Sequence, residues 1–349
     1  MLRALRRLVK KIVGMRRSLR SRARGRSRFL TARYKDPHAS GVFRLGLRRH
    51  DMGYRLYLPT GSSRRDTMPL AVMLHGCNQD PLSFAEGTRM NMLAEEYGCA
   101  VLYPEQSKHS NPLRCWNWFE PTSLAGQGDA ALLARLIDRV TQRRPIDPQR
   151  VYVAGMSAGG AMAGLLAVRH SRLFAACAIH SGLMYGAANS PAQALAAMRS
   201  GPSSASIEKA RRLVRETHES AIVPTLVIHG DRDTTVNPVN ADQIIEQLKL
   251  RAEDHVDPSA GPLLTSEERR VENGGRPYRQ QDWTLQGQLV LRKILVEGLG
   301  HAWSGGDMRY AFNDANGPDA SRFILDFMMQ YQRQAHAIAA RPRIAQGGG

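Results

Sequence analysis

Residues Gly155–Gly159 read Gly-Met-Ser-Ala-Gly, so that a serine lies between two glycines in the pattern Gly-x-Ser-x-Gly. The preceding run, Arg150–Ala154, is β-branched and aromatic and predicts a buried strand, and the following run, Ala158–Val168, predicts a helix. A tight strand-to-helix turn of this kind holds its central residue in a strained backbone conformation and lifts the side chain above the sheet. We therefore expect Ser157 to be a nucleophile.

A serine hydroxyl is a weak nucleophile at neutral pH, so Ser157 needs a histidine base and a carboxylate that orients this base. With this type of elbow, the acid and then the histidine follow the serine along the chain. The turn after the predicted strand Pro224–Gly230 offers two acids, Asp231 and Asp233. We favour Asp233, which lies past the strand end in the spacing Gly-x-x-Asp-x-x-Val, because an aspartate directly after the glycine more often bonds its own turn.

The candidate base is His301, which lies between two glycine-containing segments in a loop after the last long strand. This histidine follows both the serine elbow and the acid turn in the required order.

Hydrolysis of an ester also builds negative charge on a tetrahedral oxygen, which two backbone N–H groups stabilise. We expect these donors to be the N–H of Ala158, directly after the serine, and the N–H of Cys77, in the turn after Met73–Gly76. Three further histidines, at the ends of predicted strands, are interpreted as packing or loop-anchoring residues: His75, His180 and His229.

Tryptophans flank these candidate residues in a chain with few aromatic side chains. Trp116 and Trp118 belong to the aromatic run Cys115–Phe119, and Trp303 lies two residues after His301. Such side chains form apolar platforms for substrates, and they equally often pack in a core. We expect Trp303, Trp116 and Trp118 to contact substrate, with core packing as the alternative.

Strand-like apolar runs alternate with helical patterns over most of the chain. The predicted strands are Tyr54–Pro59, Leu70–Gly76, Cys99–Glu105, Arg150–Ser157, Ala175–Gly182, Pro224–Gly230 and Leu289–Glu297. The predicted helices are Phe84–Tyr97, Asp129–Arg143, Ala158–His170, Val239–Leu250 and Asp319–Arg333. This alternation predicts an α/β fold, a mostly parallel doubly wound sheet with helices on both faces. Two segments that break the alternation, Ala187–Ser220 and Arg251–Arg279, are interpreted as surface insertions that could form a lid.

Charge separates the N-terminus from the rest of the chain. Residues 1–30 contain 12 Lys or Arg and no Asp or Glu, whereas the other residues carry 37 basic and 31 acidic groups. We assign residues 1–40 to a basic leader, 41–335 to the α/β domain and 336–349 to a tail. The leader is interpreted either as a basic amphipathic helix, suited to an anionic granule or membrane surface or to nucleic acid, or as a solvated arm. We expect no specific nucleic-acid partner.

Neither a secretory signal nor a metal site is predicted. No apolar segment of the kind found in signal peptides follows the leader's charges. The four cysteines lack zinc-ligand spacing, so we expect no metal. Cys99 and Cys177 lie in apolar runs and are interpreted as packing residues. Cys77 and Cys115 lie near the predicted site, either as free thiols or as a disulfide, and a disulfide would imply an oxidising compartment.

Several motifs in one order resemble the poly(3-hydroxybutyrate) depolymerase family of esterases over roughly residues 50–330. These motifs are Val72–Asp80, Gly87–Asn91, Tyr103–Gln106, Cys115–Phe119, Gly155–Ala163, His180–Gly182 and Gly300–Gly306. The resemblance implies an α/β-hydrolase fold, serine esterase chemistry without a cofactor, and a triad of Ser157, Asp233 and His301.

The resemblance implies the reaction type more firmly than the substrate, because the family also includes feruloyl and acetyl-xylan esterases. The expected substrate is a short-chain poly(3-hydroxyalkanoate) polyester or its oligomers, and the alternative is a phenolic or acetyl ester on plant polysaccharide. A further alternative is a non-catalytic protein that binds a granule or polyanion through the leader. The resemblance implies an extracellular location, and the lack of a visible signal peptide leaves a cytoplasmic or granule-associated location as the alternative.

Overall fold

The computed structural model describes residues 27–35, 51–62, 66–215, 222–253, 264–272 and 274–333. Within these ranges the strands that build the main sheet are β1 Arg28–Lys35, β2 Asp51–Leu58, β3 Met68–Leu74, β4 Ala100–Glu105, β5 Ile146–Met156, β6 Ala176–His180, β7 Thr225–Gly230, β8 Leu264–Val271, β9 Tyr278–Leu285 and β10 Gln288–Val296. They are ordered β1-β2-β4-β3-β5-β6-β7-β10-β9-β8 across the sheet.

The centre of the sheet is parallel and its edges are antiparallel. The central strands run parallel to one another, in the pairs β4–β3, β3–β5, β5–β6, β6–β7 and β7–β10. The pairs β1–β2, β2–β4, β10–β9 and β9–β8 are antiparallel. Because the carboxyl ends of the parallel strands meet at one edge of the sheet, the loops that follow β3, β5, β7 and β10 meet there.

Helices cover both faces of the sheet and complete two apolar cores. The described helices are α1 Pro81–Thr88, α2 Met90–Tyr97, α3 Pro121–Leu124, α4 Gly128–Arg143, α5 Ala158–Arg169, α6 Pro191–Ser200, α7 Ser204–Arg215, α8 Val239–Glu253 and α9 Ala320–Met328. The central strands are buried on both faces, as in β3, where every residue from Met68 to Leu74 is buried. The predicted α/β-hydrolase fold, with its doubly wound and mostly parallel sheet, is confirmed.

The structure corrects several element boundaries. Arg28–Lys35, assigned above to the leader, form the edge strand β1, paired along its length with β2. The single helix predicted over Phe84–Tyr97 is two helices that meet at Arg89, whose φ of 54° interrupts the helical backbone. Leader residues 1–26 and 36–40 lie outside the described residues, as do residues 334–349, which include the predicted tail 336–349.

The two predicted insertions differ from each other in structure. Ala187–Ser220 contains the helices α6 and α7, and α6 reaches the candidate site described below. Arg251–Arg279 instead supplies β8 and the start of β9, which extend the sheet at the edge beyond β10. The described part of this second segment from residue 264 onward is therefore an extension of the sheet. None of the helices in the described ranges combines the length and apolar content that a membrane span requires.

Candidate active site

Ser157 lies at the sharp turn between β5 and α5. Its backbone has φ 57° and ψ −123°, a conformation that an L-residue rarely adopts, and its N–H donates to the His180 carbonyl at 2.9 Å. The flanking glycines allow this turn, since a Cβ on Gly155 would lie 2.3 Å from the Gly159 carbonyl oxygen. A Cβ on Gly159 would lie 2.1 Å from the Leu74 carbonyl oxygen. The strained serine predicted from the sequence is thus built by close packing of α5 against β3 and β5.

Asp233 follows β7 and holds His301. One carboxylate oxygen, Oδ1, accepts the backbone N–H groups of Thr235 and Val236 at 2.9 and 2.8 Å. The other, Oδ2, lies 2.7 Å from His301 Nδ1. Because an ionised carboxylate only accepts hydrogen bonds, the proton of the imidazole lies on Nδ1. The Nε2 atom is then left with a lone pair that can accept a proton.

His229 is a second histidine in contact with the same carboxylate. It is fully buried at the end of β7, and its Nε2–H donates to the Val236 carbonyl at 2.8 Å while lying 3.4 Å from Asp233 Oδ2. Desolvation by burial raises the pKa of Asp233, but hydrogen bonds from His229 and His301 lower it by more, so that this pKa lies well below its ordinary value. Asp233 is therefore ionised at every pH near neutrality.

Asp231, the other candidate acid, makes a different contact. Its Oδ1 accepts the backbone N–H of Gly298 at 2.7 Å, which ties the turn after β7 to the end of β10. Asp233, rather than Asp231, contacts His301. The spacing after the strand end, on which the sequence interpretation depended, places only the later carboxylate at the histidine.

Ser157 and His301 line one cavity of about 220 Å³ at the carboxyl edge of the sheet. Its other walls come from five segments and are mainly apolar, with Gly76, Cys77, Asn78, Gln79, Met156, Met198, Thr235 and Phe312. The loop that carries His301 is fixed by a short pair of strands, β11 Trp303–Ser304 and β12 Asn313–Asp314. Sequence reasoning missed Met198 and Phe312, since no motif surrounds them; only the position of Met198 in a predicted lid segment pointed toward the site.

Among the described residues, no acceptor is found for the backbone N–H of Cys77, which lines this cavity, or for that of Ala158, which directly follows Ser157. Ala158 is the first residue of α5, where a helix leaves its N–H groups unpaired. The neighbouring Asn78 N–H is occupied by the Leu113 carbonyl at 2.7 Å. A disulfide joins Cys77 to Cys115 and so ties the Cys77 turn to the loop that carries Leu113. That these two N–H groups stabilise an oxyanion stays a prediction from the sequence.

The three tryptophans do not line the cavity, which corrects the expectation that they contact substrate. Trp116 and Trp303 are 0% and 1% exposed, and Trp118 is 4% exposed. Trp116 Nε1–H donates to the His75 carbonyl at 3.0 Å, and the Trp303 ring stacks on His180 at 4.9 Å between centroids. The alternative interpretation, core packing, describes all three, because each is buried in one of the two apolar cores.

His75 and His180 are buried and anchor loops, as the sequence interpretation states. His75 Nδ1–H donates to the Gly76 carbonyl at 2.8 Å, and its Nε2 accepts the Gln106 N–H at 3.2 Å. His180 Nε2 accepts the Ser304 N–H at 3.3 Å. Burial lowers the pKa of His75 to about 4 and the pKa of His180 to about 3. Both rings are therefore neutral acceptors and donors within the fold.

Within the ranges that the structure describes, no cluster of three or more His, Cys, Asp and Glu side chains is arranged to hold a metal ion. The site brings together a strained serine, a histidine hydrogen-bonded to a buried carboxylate, and the backbone N–H groups of Cys77 and Ala158. Such a set defines the class of nucleophilic serine sites in α/β folds.

The chain belongs to the family described as "Esterase PHB depolymerase", whose sequence model matches residues 52–272. It is 33% identical over 241 residues to poly(3-hydroxyalkanoate) depolymerase C of Paucimonas lemoignei, covering 67% of this chain and 54% of that protein. It is 27% identical over 199 residues to acetylxylan esterase A of Emericella nidulans, covering 54% of this chain and 64% of that protein. The family resemblance predicted from the motifs is confirmed.

The fold is shared with the acetyl xylan esterase from Aspergillus awamori. The two structures align with a TM-score of 0.63 at 18% identity, over 87% of this chain and 99% of that chain. This likeness concerns the fold. The present chain spans only about half to two thirds of the length of the depolymerase and acetylxylan esterase relatives that it matches in sequence.

Proposed function

We propose that this chain hydrolyses carboxylic esters by covalent catalysis at Ser157. His301 Nε2 takes the serine proton as Oγ attacks the acyl carbon, and the negative charge moves to the former carbonyl oxygen, which the N–H groups of Cys77 and Ala158 stabilise. When this intermediate collapses, His301 gives the proton to the departing alcohol and leaves an acyl-serine. Asp233 stabilises the imidazolium and holds its Nδ1–H.

Water then attacks the acyl-serine in the reverse sense. His301 removes one proton from the water, and a second tetrahedral intermediate forms in the same two-donor site. Its collapse releases the carboxylic acid and returns the proton to Ser157 Oγ. In both steps His301 is the group of the protein that takes the proton and passes it on.

The proposed substrate is a short-chain poly(3-hydroxyalkanoate) polyester or its oligomers, and the observation that carries this choice is an apolar rim around the cavity. Of the large hydrophobic side chains that are exposed in the described residues, all but Met92 belong to segments at the cavity: Leu82, Leu113, Leu195, Met308 and Phe312. The cavity itself is small and mainly apolar, which suits a short acyl chain.

Each member of the apolar rim is tied to a wall of the cavity. Leu82 follows the turn that contains Gln79, and the Leu113 carbonyl accepts the N–H of cavity residue Asn78. Leu195 lies three residues before Met198 on α6, hence on the same side of that helix. Met308 shares a loop with Phe312. Exposed apolar surface around a cleft is expected where an insoluble apolar polymer is bound, because a dissolved sugar chain needs polar contacts.

A panel of esters tests this assignment. We expect turnover of p-nitrophenyl butyrate and of 3-hydroxybutyrate oligomers to exceed turnover of methyl ferulate and acetylated xylan. The second candidate substrate is an ester on a polysaccharide, because one of the relatives is named as an acetylxylan esterase. A preference for methyl ferulate or acetylated xylan would establish this second candidate instead. Ser157→Ala should abolish all turnover with an unchanged circular dichroism spectrum; retained turnover would contradict the mechanism.

The apolar rim is tested on solid polymer. Leu113→Ser combined with Met308→Ser should lower the rate on polyester particles severalfold and leave the kcat/KM for p-nitrophenyl butyrate unchanged. Met92→Ser is the matched control, because Met92 is 69% exposed on α2 and belongs to no segment that lines the cavity. Equal effects of the two variants on particles would refute binding through the rim.

We also propose an oxidising, extracellular location, which the Cys77–Cys115 disulfide supports.

The leader, with 12 basic residues among the first 30, is proposed to bind an anionic granule or membrane surface. Co-sedimentation of the full chain with granules at low and high salt tests this role, and binding that is insensitive to salt would contradict it. A purely binding function would be indicated by absence of ester turnover in the intact chain.

A further inference from the structure

A second surface feature lies away from the active site, in a basic groove between the edge strand β1 and helix α4. Two adjoining cavities of about 550 and 440 Å³ form it and share Gln142 and Arg143. The cationic side chains that line this basic groove are Arg28, Arg33, Lys35, Arg135, Arg139, Arg143 and Arg144. Among the described residues, a single carboxylate, Asp138, lines it.

The cations form two facing rows. Arg135, Arg139 and Arg143 recur every four residues on α4 and so lie on one side of the helix, with a rise of about 6 Å between neighbours. Arg33 and Lys35 are two residues apart on β1 and so share a face of that strand. Arg33 is partly neutralised by Asp51 at 2.9 Å. Within the described residues, no ion pair is made by Arg139 or Arg143.

The concentration of charge is unusual for this domain. Residues 31–349 carry 37 basic and 31 acidic groups, an excess of six basic groups. The groove alone carries an excess of five from that range, since it holds six of those basic groups and one acid. Outside the groove, residues 31–349 carry nearly equal numbers of basic and acidic groups. Like charges four residues apart destabilise an isolated helix, so the α4 row favours a bound counter-charge.

We propose that the basic groove binds a linear, water-soluble polymer of phosphate groups. Six of its seven cations are arginines, whose planar guanidinium groups bind phosphate oxygens in pairs. The groove is concave and elongated, which fits a chain and not a flat lipid surface. None of the exposed large hydrophobic side chains of the described residues lies in it, so it lacks apolar anchors for a membrane.

Recognition in the groove rests on charge. Two tyrosines line the groove: Tyr34 is only 9% exposed and offers no platform on which nucleic-acid bases could stack, whereas Tyr54 is partly exposed, so the seven cations are accompanied by at most one stacking ring. Arg144 precedes β5 by two residues, and Ser157 directly follows the end of that strand. The end of the groove at Arg144 is therefore roughly 35 Å from the serine.

The test uses the full chain and inorganic polyphosphate of defined length. Arg139→Gln with Arg143→Gln is compared with Lys209→Gln and Arg212→Gln, which remove two charges from exposed positions on α7. The groove variant should bind about tenfold more weakly at low salt, and the slope of log affinity against log salt should become less steep by about 1.4, since each phosphate contact on a single strand contributes about 0.7. The α7 variant should match the unsubstituted chain.

Three results would overturn the proposal. Equal affinities of the groove and α7 variants would assign binding to other basic residues, such as those of the leader. Binding of vesicles rich in anionic phospholipid without binding of polyphosphate would indicate a lipid surface. Much tighter binding of an oligothymidylate with the same number of phosphates would indicate recognition of bases. Turnover of p-nitrophenyl butyrate should be the same in all variants, which separates loss of binding from loss of fold.

Discussion

Replacing Asp233 by Asn should remove most of the catalytic rate while leaving the fold intact. The two backbone N–H groups of Thr235 and Val236 both point at Oδ1, at 2.9 and 2.8 Å. An asparagine would keep its oxygen at that position, because an amide NH2 there would face two donors. Its NH2 group would then occupy the Oδ2 position, 2.7 Å from His301 Nδ1.

That NH2 group can only donate, so it would force Nδ1 of His301 to become the acceptor and shift the ring proton to Nε2. A protonated Nε2 cannot take the proton of Ser157. In a serine triad this wrong tautomer lowers kcat by about 10⁴-fold, which corresponds to about 5.5 kcal/mol of transition-state stabilisation. Asp231→Asn is the matched control, since its remaining oxygen can still accept the Gly298 N–H, and we expect kcat to change less than about twofold.

The assay is hydrolysis of p-nitrophenyl butyrate under saturating substrate, with the free energy of unfolding measured by urea titration at pH 7. Asp233→Asn should lower kcat much more than it changes KM, because the contact acts on proton transfer and not on substrate binding. A variant that retains a tenth or more of kcat, or an Asp231→Asn variant that loses as much as Asp233→Asn, would refute this reasoning.

Three further predictions follow from contacts near the site. Replacing both Cys77 and Cys115 by Ser should lower the unfolding free energy by roughly 3–4 kcal/mol, since the disulfide closes a loop with a sequence separation of 38, and should lower kcat through the Cys77 N–H; an unchanged melting temperature would contradict this. The pKa values of His75 and His180 are depressed in the fold, so only the unfolded chain binds these protons between pH 6.5 and about 4. The free energy of unfolding should therefore fall by up to about 1.4 kcal/mol per pH unit for each histidine as the pH is lowered through that window. Urea titrations at pH 7, 6 and 5 check this. Met198→Ala should widen the cavity and raise the ratio of p-nitrophenyl octanoate to butyrate turnover at least severalfold, and an unchanged ratio would show that Met198 does not limit the acyl chain.

The sequence allowed the central strands and the chemical residues of the candidate site to be predicted because their patterns are local or ordered. A buried parallel strand is a continuous apolar run, and a serine elbow needs its glycines beside it. The acid and the base were found because they must follow the serine in a fixed order at strand ends. The edge strand β8 could not be found in the same way, since its sequence Leu-Thr-Ser-Glu-Glu-Arg-Arg-Val is almost entirely exposed and has no apolar alternation.

The walls of the cavity were the part that sequence reasoning misassigned. Trp303 lies two residues from His301, but proximity along the chain does not tell on which side of a loop a ring projects. The positions that do reach the cavity, Met198 and Phe312, come from α6 and from the residue before β12, two segments without a recognisable pattern. Shape complementarity between distant loops is a tertiary property, and no local signal encodes it.

The buried tryptophans nevertheless act on the site through the two histidines that they contact. Trp116 donates to the carbonyl of His75, and the His75 ring donates to Gly76, directly before the turn that carries the Cys77 N–H. Trp303 stacks on His180, whose carbonyl accepts the N–H of Ser157. Each ring therefore fixes one side of the proposed oxyanion site from beneath the sheet edge. This arrangement explains why tryptophans lie next to these motifs in the sequence although they do not reach the cavity, since a strained serine and an unpaired N–H both need a rigid support.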